Sequence, residues 1–363
     1  MDLGPGRECG YGGREFSNAG DVFQRGAMHD FFYTLLSVAA LWGGAVIFPG
    51  NALADRITTV DLGIESGYRQ DNLDWNMAGT LDGTSPNVLS ELSWDDLELL
   101  QVDATVRFTL GRPGAPVVFH LRSSLGVGTI IEGSNQDSDY GGDNRTLEFS
   151  RSNNDTSDGG ALDFSIGVGP RFTFAGGAFT LTPLFGYSYN GQYLQLSGGN
   201  QTVSNQDIAT AVFGVDADGE PLVNVPPTGP FSGLDSSYDA HWWGPWLGLD
   251  LTLAPTPALT LTGSGEYHLG DYLGEADWNL RTDLAHPVSF DHQADASGVV
   301  LALGTEWTFH RRWALTGRFG YQKWQTDKGL HRVFLADGTV GATRLNEVNW
   351  ESAALMVGAR CRF

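Results

Sequence analysis

Cysteine is nearly absent: the 363 residues hold two, Cys9 and Cys361. Cys9 falls in a segment read below as a leader, so one thiol remains, and neither a disulfide framework nor a cysteine zinc site is available. Long apolar runs are scarce too. After the N-terminal region no stretch is apolar enough for a membrane helix. Basic residues are few, 21 Lys plus Arg against 43 Asp plus Glu, and none lies between positions 172 and 280. Binding phosphate groups would cost electrostatic repulsion, which excludes nucleic acid as a partner and favours cations and basic peptides. Two catalytic signatures are missing as well, the Gly-x-Ser-x-Gly elbow and the His-Glu-x-x-His pair. Asp216-Ala217-Asp218-Gly219-Glu220 begins like a calcium loop but lacks its spacing and terminal Glu, and reads as a solvated acidic turn. No metal and no cofactor are expected.

What is present begins with one apolar run, 31–48, followed by Pro49, Gly50 and Asn51-Ala52-Leu53-Ala54. Small residues at Ala52 and Ala54 fit a signal-peptidase site, so 1–54 reads as a leader and the mature chain starts at Asp55. Met28 is an alternative start, because positions 1–26 are Gly-rich and carry no apolar period; from Met28 the n-region is only His29-Asp30. An uncleaved anchor helix is the competing reading, against which Gly43-Gly44 interrupt the run.

Past residue 55 strict alternation dominates, the period of a strand with two different faces. Phe179, Leu181, Pro183, Phe185, Tyr187 and Tyr189 stand against Thr180, Thr182, Gly186, Ser188 and Asn190. Trp313, Leu315, Gly317, Phe319 and Tyr321 do the same, as do Leu100 through Leu110 at every second position. A soluble sandwich would also alternate. Here, however, the apolar faces begin and end on aromatics, as membrane-interface girdles require, and the polar faces mix small residues with single charges, as a packed lumen requires. Backbone groups in lipid must all be paired, so such strands close into a barrel. Strand centres fall near Ile64, Thr105, Leu125, Val168, Phe185, Leu249, Gly263, Leu303, Gly317 and Leu355.

Short turns at 111–114, 175–177, 254–257 and 310–312 alternate with long polar loops near 70–90, 132–160, 197–237, 270–296 and 325–346. The expectation is one all-β domain over 55–363. It is a ten-stranded antiparallel transmembrane β-barrel with long extracellular loops, short periplasmic turns and both termini in the periplasm. Ala353, Leu355, Val357, Ala359, Cys361 and Phe363 form the last apolar face. A terminal Phe on such a strand resembles the signal read by the outer-membrane assembly machinery. Location in the cell outer membrane follows, with its lipid, lipopolysaccharide included, as the expected surroundings. The Gly-x-Gly occurrences at 126–128 and 167–169 fall mid-strand, where small residues let a lumen pack.

Two segments carry a family resemblance. Ser90-Glu91-Leu92-Ser93-Trp94 resembles the Ser-x-Leu-x-Trp of the omptin-like outer-membrane barrels. Gln136-Asp137-Ser138-Asp139-Tyr140 follows the third strand, where omptins carry an Asp-x-Asp-aromatic segment. The stretch from Asp139 through Arg145 to Glu148-Phe149-Ser150 is similar to a relative of the omptins, the Protochlamydia outer membrane protein group. Omptins cut peptides at basic residues, with an Asp pair facing an Asp-x-His pair across the barrel mouth and water activated between them. The resemblance therefore implies Asp137 and Asp139 as the first pair. The second falls in Glu275-Ala276-Asp277-Trp278-Asn279, where Asp277 matches but Asn279 stands at the His position. An Asn amide does not titrate near neutrality and cannot serve as a base. His268, His286 and His292 are the nearby substitutes, each more simply read as a lumen or loop residue.

The acidic residues Asp207, Asp216, Asp218, Glu220, Asp235, Asp239, Asp250, Glu266, Asp271, Glu275 and Asp277 fill the region without bases. They predict a negative outer rim that gathers cationic peptides or divalent ions. The leading reading is a surface or ligand-interaction barrel lacking the complete omptin catalytic set; the alternative is an omptin-type endopeptidase with a displaced His. The leader reading is checked by N-terminal sequencing of membrane-extracted protein, which is expected to return Asp55. An N-terminus upstream of Phe31 overturns it.

Overall fold

The alternation of β1 (Ile57–Met77) continues far beyond what a membrane needs, and its chemistry changes on the way. The outward positions run Leu62, Ile64, Ser66, Tyr68 and then Asn72 and Asp74. The inward ones run Asp61, Glu65, Arg69, Asp71 and then Leu73 and Trp75. In lipid the apolar face must point out; above lipid, the same strand faces water and the apolar face must point in. One strand thus crosses two solvents.

The computed structural model describes residues 57–112 and 115–363; the leader and its cleavage site lie outside them. After β1 come β2 (Ser90–Leu110), β3 (Val117–Gly142), β4 (Thr146–Asp155), β5 (Gly159–Phe174) and β6 (Phe179–Ser204). Then follow helix α1 (Gln206–Phe213), β7 (Gly229–Pro230), β8 (Ser236–Leu253), β9 (Leu259–Asp277) and β10 (Phe290–Thr308). The chain ends with β11 (Trp313–Thr326), β12 (Gly329–Phe334) and β13 (Val340–Arg362). All pairing is antiparallel, and β1 pairs with β13 from Asp61↔Arg362 up to Met77↔Leu345, closing the ring. β4 and β5 both run against β3, and β11 and β12 both run against β10 and β13, so each couple is one interrupted strand. Leaving out the short β7, the barrel has ten strand positions, and every expected strand centre lies in one of them. No helix among the described residues is long and apolar enough to cross a membrane.

The expected long loops are the main correction. Strands occupy much of 70–90, 132–160, 270–296 and 325–346, leaving connections at 78–89, 143–145, 278–289 and 335–339; only 205–235, with α1, stays long. Polar outward residues in these segments read as loop, but they are the water-facing side of strands that rise above the membrane.

An outward belt of large exposed side chains, among them Leu303 at 67 % and Leu355 at 63 %, marks the lipid-facing height. Trp307, Phe309, Trp313 and Phe363 border it at the short-turn rim, periplasmic in barrels of this kind, and Tyr68 and Tyr267 border it at the other. Inside, the lower lumen is an ion-pair lattice. Arg318 pairs with Glu65 and Asp103, and Arg122 with Asp250 and Glu266. Asp250 and Glu266 therefore belong to the lumen and not to the outer rim. Trp246 lies flat across Gly167 and Gly186, where a Cβ would come within 2.3 and 2.2 Å of its ring, so glycine is required at both. The upper lumen is apolar: Trp75, Trp94, Trp242, Trp324, Trp350, Tyr238 and Tyr272 are all but sealed from solvent and pack ring on ring.

Arg69, 1 % exposed, joins the two zones. Its guanidinium donates to Asp71 (2.7 and 2.5 Å) and Asp163 (2.6 Å) and lies 5.4 Å from the centre of the Trp350 ring. Removing one partner from buried ion pairs leaves uncompensated charge, at a cost of about 3–5 kcal/mol. Arg69→Met is therefore expected to lower the unfolding free energy of the detergent-folded barrel by an amount in that range, read from a lower urea midpoint. An unchanged midpoint would mean that lumen water compensates Asp71 and Asp163 by itself.

Candidate functional site

Strands β2 and β3 change phase just above the lipid belt. Leu99 opposite Ile130 points into the core, and so does Trp94 opposite Asn135, although an odd number of residues separates each couple. The shift is made by a register irregularity between Asp95 and Glu98, with Asp96 in a left-handed conformation (φ 54°) and its N–H donated to Asn72. As a result Asp137 and Asp139 share the inward face, opposite Leu92 and Ser90 on one side and Ser152 and Ser150 on the other. The Ser-x-Leu-x-Trp residues form the floor and flank beneath them.

The two carboxyls are half-buried, one strand residue apart. Burial lifts Asp137 well above the usual carboxylate range, Asp139 adds to the rise, and Arg281 opposes it. Burial pushes Asp139 up to about 6, against hydrogen bonds from Ser90 and Ser150 and the charge of Arg281. Both rises have the cause expected of two acids side by side in a poorly solvated place.

Arg281 comes from the β9–β10 connection. Its Nε and Nη2 donate to the two oxygens of Asp283 (2.8 and 2.7 Å), and this bond first, then Asp139 and Asp137, favour its charge. β3 is third around the ring and β9 seventh, and from that far position the charge of Arg281 acts on the Asp pair. The path of the 278–289 segment is held by Ala285 N–H to Phe334, by Ala336 N–H to Asp283 and by the Leu284–Leu335 bridge.

Asp277, the last residue of β9, is out of phase with the inward Tyr272, Gly274 and Ala276. Its Oδ1 lies 2.5 Å from His286 Nδ1, and both side chains are partly exposed. Asn279 is a loop tie: its Oδ1 accepts from the Asp235 N–H and the Ser236 hydroxyl, and its Nδ2 donates to Gly233. His268 is deep in the lumen between Ser188 (2.9 Å) and Glu266 (3.0 Å). His292 is buried in the aromatic zone, 2.8 Å from Tyr238 and 2.9 Å from His331. Burial lowers His292 far below the ordinary imidazole value and His331 to about 4, so both stay neutral. Of the three candidate histidines, His286 is the one beside Asp277. Among the described residues no hydrogen bond or ion pair joins the Asp137–Asp139 pair to Asp277 or His286. Nor, among them, is there a cluster of His, Cys, Asp or Glu fit to hold a metal ion.

Arg281 was not singled out by the sequence reading. A signal existed: it is the residue that ends the run 172–280 without a base.

A closed antiparallel barrel with a lipid-facing belt and a charged lumen defines an outer-membrane β-barrel protein. The family model described as Protochlamydia outer membrane protein matches residues 63–363, and the chain belongs to that family. Among solved structures, the outer membrane protease OmpT of Escherichia coli has a similar fold, with TM-score 0.64 and 12% identity over 85% of this chain and 98% of OmpT. The NalP translocator domain of Neisseria meningitidis (TM-score 0.33, 13% identity, 95% of this chain, 100% of that one) aligns too loosely to add to this. So does OprG of Pseudomonas aeruginosa (0.30, 12%, 84% and 95%). No curated protein sequence matches the chain.

The sign of the electrostatics at the mouth can be measured. Arg281 opposes the rise at Asp139, so Arg281→Gln is expected to move the Asp139 titration upward from about 6, followed by carboxyl carbon NMR. The folded value exceeds the ordinary 3.8, so this group's stabilising proton is present below 3.8 and lost as pH climbs through about 6. A midpoint that stays or falls in the variant would remove Arg281 from the site.

Proposed function

We propose that this protein is a surface barrel that binds basic side chains at its outer mouth and does not hydrolyse peptides in the omptin manner. The observation that carries the reading is the inward Asp137–Asp139 pair, which feels the charge of Arg281 although that guanidinium is bonded to Asp283. Two carboxyls that attract Arg281 have the charge and position to attract an arginine or lysine of a ligand. Asp207, Asp216, Asp218 and Glu220, in or beside the long 205–235 connection, add a negative field that gathers such ligands from solution. Hydrolysis would further need a titrating base aimed at water between two pairs, and the omptin position for it holds Asn279, which is spent on the loop. Export by the N-terminal leader, seating in lipopolysaccharide and assembly through Phe363 belong to the same proposal.

One observation favours the alternative endopeptidase: His286 is oriented by Asp277 as a general base would be. The two readings part in a single assay on refolded protein supplied with lipopolysaccharide. Dibasic peptides are expected to bind, more tightly as pH rises through about 6 and less tightly with added salt, without being cut. Asp137→Ala with Asp139→Ala should abolish that binding, and Asn279→His should not create cleavage. Robust cleavage by the native protein that is lost in His286→Ala would establish the endopeptidase instead.

A further inference from the structure

The aromatic zone seals the upper lumen, but below it lies a cavity of about 260 Å³ whose wall includes Arg107, His120, Arg122 and Arg171. The charges at this end can be followed one by one. Glu306 is held by Arg107 (3.0 Å) and Arg360 (2.6 Å), and Asp61 by Arg362 (2.7 Å). Asp250 and Glu266 are held by Arg122 (3.0 and 2.6 Å). Each of these carboxylates has an arginine partner, as do Glu65 and Asp103 with Arg318 and Asp163 with Arg69 on the same cavity wall, although one oxygen of Asp250 and one of Asp163 make no hydrogen bond.

Arg171 is the one left over. Its Nε reaches the Thr182 hydroxyl at 3.4 Å, and its Nη2 stands 3.5 Å from the Nε2 of fully buried His120. Both contacts are long, neither is anionic, and among the described residues no carboxylate comes within 4.0 Å. The Nη1 end has no protein partner among them. A guanidinium cannot shed its proton, and this half-buried one feels the charges of Asp250 and Asp61 without being bonded by either, which leaves its fork open to an anion from solution. Its planar fork suits two oxygens of one anion, and the arginines at positions 107 and 122 add attraction from neighbouring strands.

We propose that the lower lumen is a binding site for a small oxyanion, gripped by Arg171, reinforced by Arg107 and Arg122, and reached from the short-turn rim. The site is separate from the acidic mouth: the mouth attracts cations at one end, the lumen attracts an anion at the other, and the aromatic zone divides them. Entry from the mouth is closed by Trp242, Trp324 and Trp350.

Inorganic phosphate is the probe, titrated into the detergent-folded protein and followed by phosphorus NMR and calorimetry. One saturable site is expected, competed by sulfate. Arg171→Gln should weaken it roughly tenfold or more, the effect of losing a charged hydrogen-bonding fork. Lys323→Gln with Lys328→Gln, which lowers surface charge elsewhere, should leave it unchanged. Folding of each variant is checked by its heat-modifiable gel shift. Should Arg171→Gln not fold, Arg171→Lys keeps the charge and removes the fork, and a several-fold loss is expected there. The proposal is overturned if the native protein shows no saturable site, or if phosphate binds the Arg171 variants as it binds the native protein.

Discussion

The pairing of the first strand with the last governs everything else in this molecule. A strand edge left open in lipid would expose a row of peptide groups with no partner, each costing several kcal/mol. β1 and β13 remove that cost by pairing over their whole height, from Asp61↔Arg362 near the short-turn rim to Met77↔Leu345 well above the lipid belt. Once the ring closes, the inward side chains of ten strand positions share one narrow space. The identity of each is then set by its neighbours across the lumen as much as by its own strand.

That shared space is divided by height. Where lipid surrounds the barrel, the outer face takes the apolar residues and the lumen is left to Arg, Asp and Glu, which are tolerated because they meet one another. Where water surrounds it, the arrangement inverts and the lumen becomes an aromatic core of the ordinary globular kind. Arg69 stands at the boundary, with Asp71 and Asp163 on its charged side and Trp350 against its face. The aromatic zone fills the upper lumen and lies between the ion-pair lattice below and the mouth above.

At that mouth the chain departs from the arrangement implied by the omptin resemblance. Asp137 and Asp139, the pair that the resemblance implies, face inward. The partner segment across the mouth, however, offers a cation, Arg281, and its Asp–His couple is built from Asp277 and a loop histidine nine residues on, not two. The similarity to OmpT is one of fold.

The barrel itself was legible in the amino-acid order because alternation is a local property. Residues such as Phe185, Leu303 and Leu355 declare a lipid-facing strand wherever they stand at every second position, and the strand order follows from which connections are short. The acidic pair was named through the omptin resemblance and placed in a loop; that it stands on β3 is a finding of the structure. Strand length was misjudged because, above the lipid, the outward residues turn polar and resemble loop; only the pairing of β3 with β4 and of β1 with β13 shows that they are strand. The site needed still more. Its Asp pair faces inward because of an irregularity at Asp96, its histidine is chosen by a loop that folds back on Asp277, and the charge of Arg281 acts on it from four strand positions away. By itself the sequence determined the strands, their order and their lipid-facing side, since these depend on residues one and two apart. Which side chains meet at the mouth and in the lumen was decided only by the tertiary structure, because those meetings depend on register and ring closure, which join residues more than a hundred positions apart.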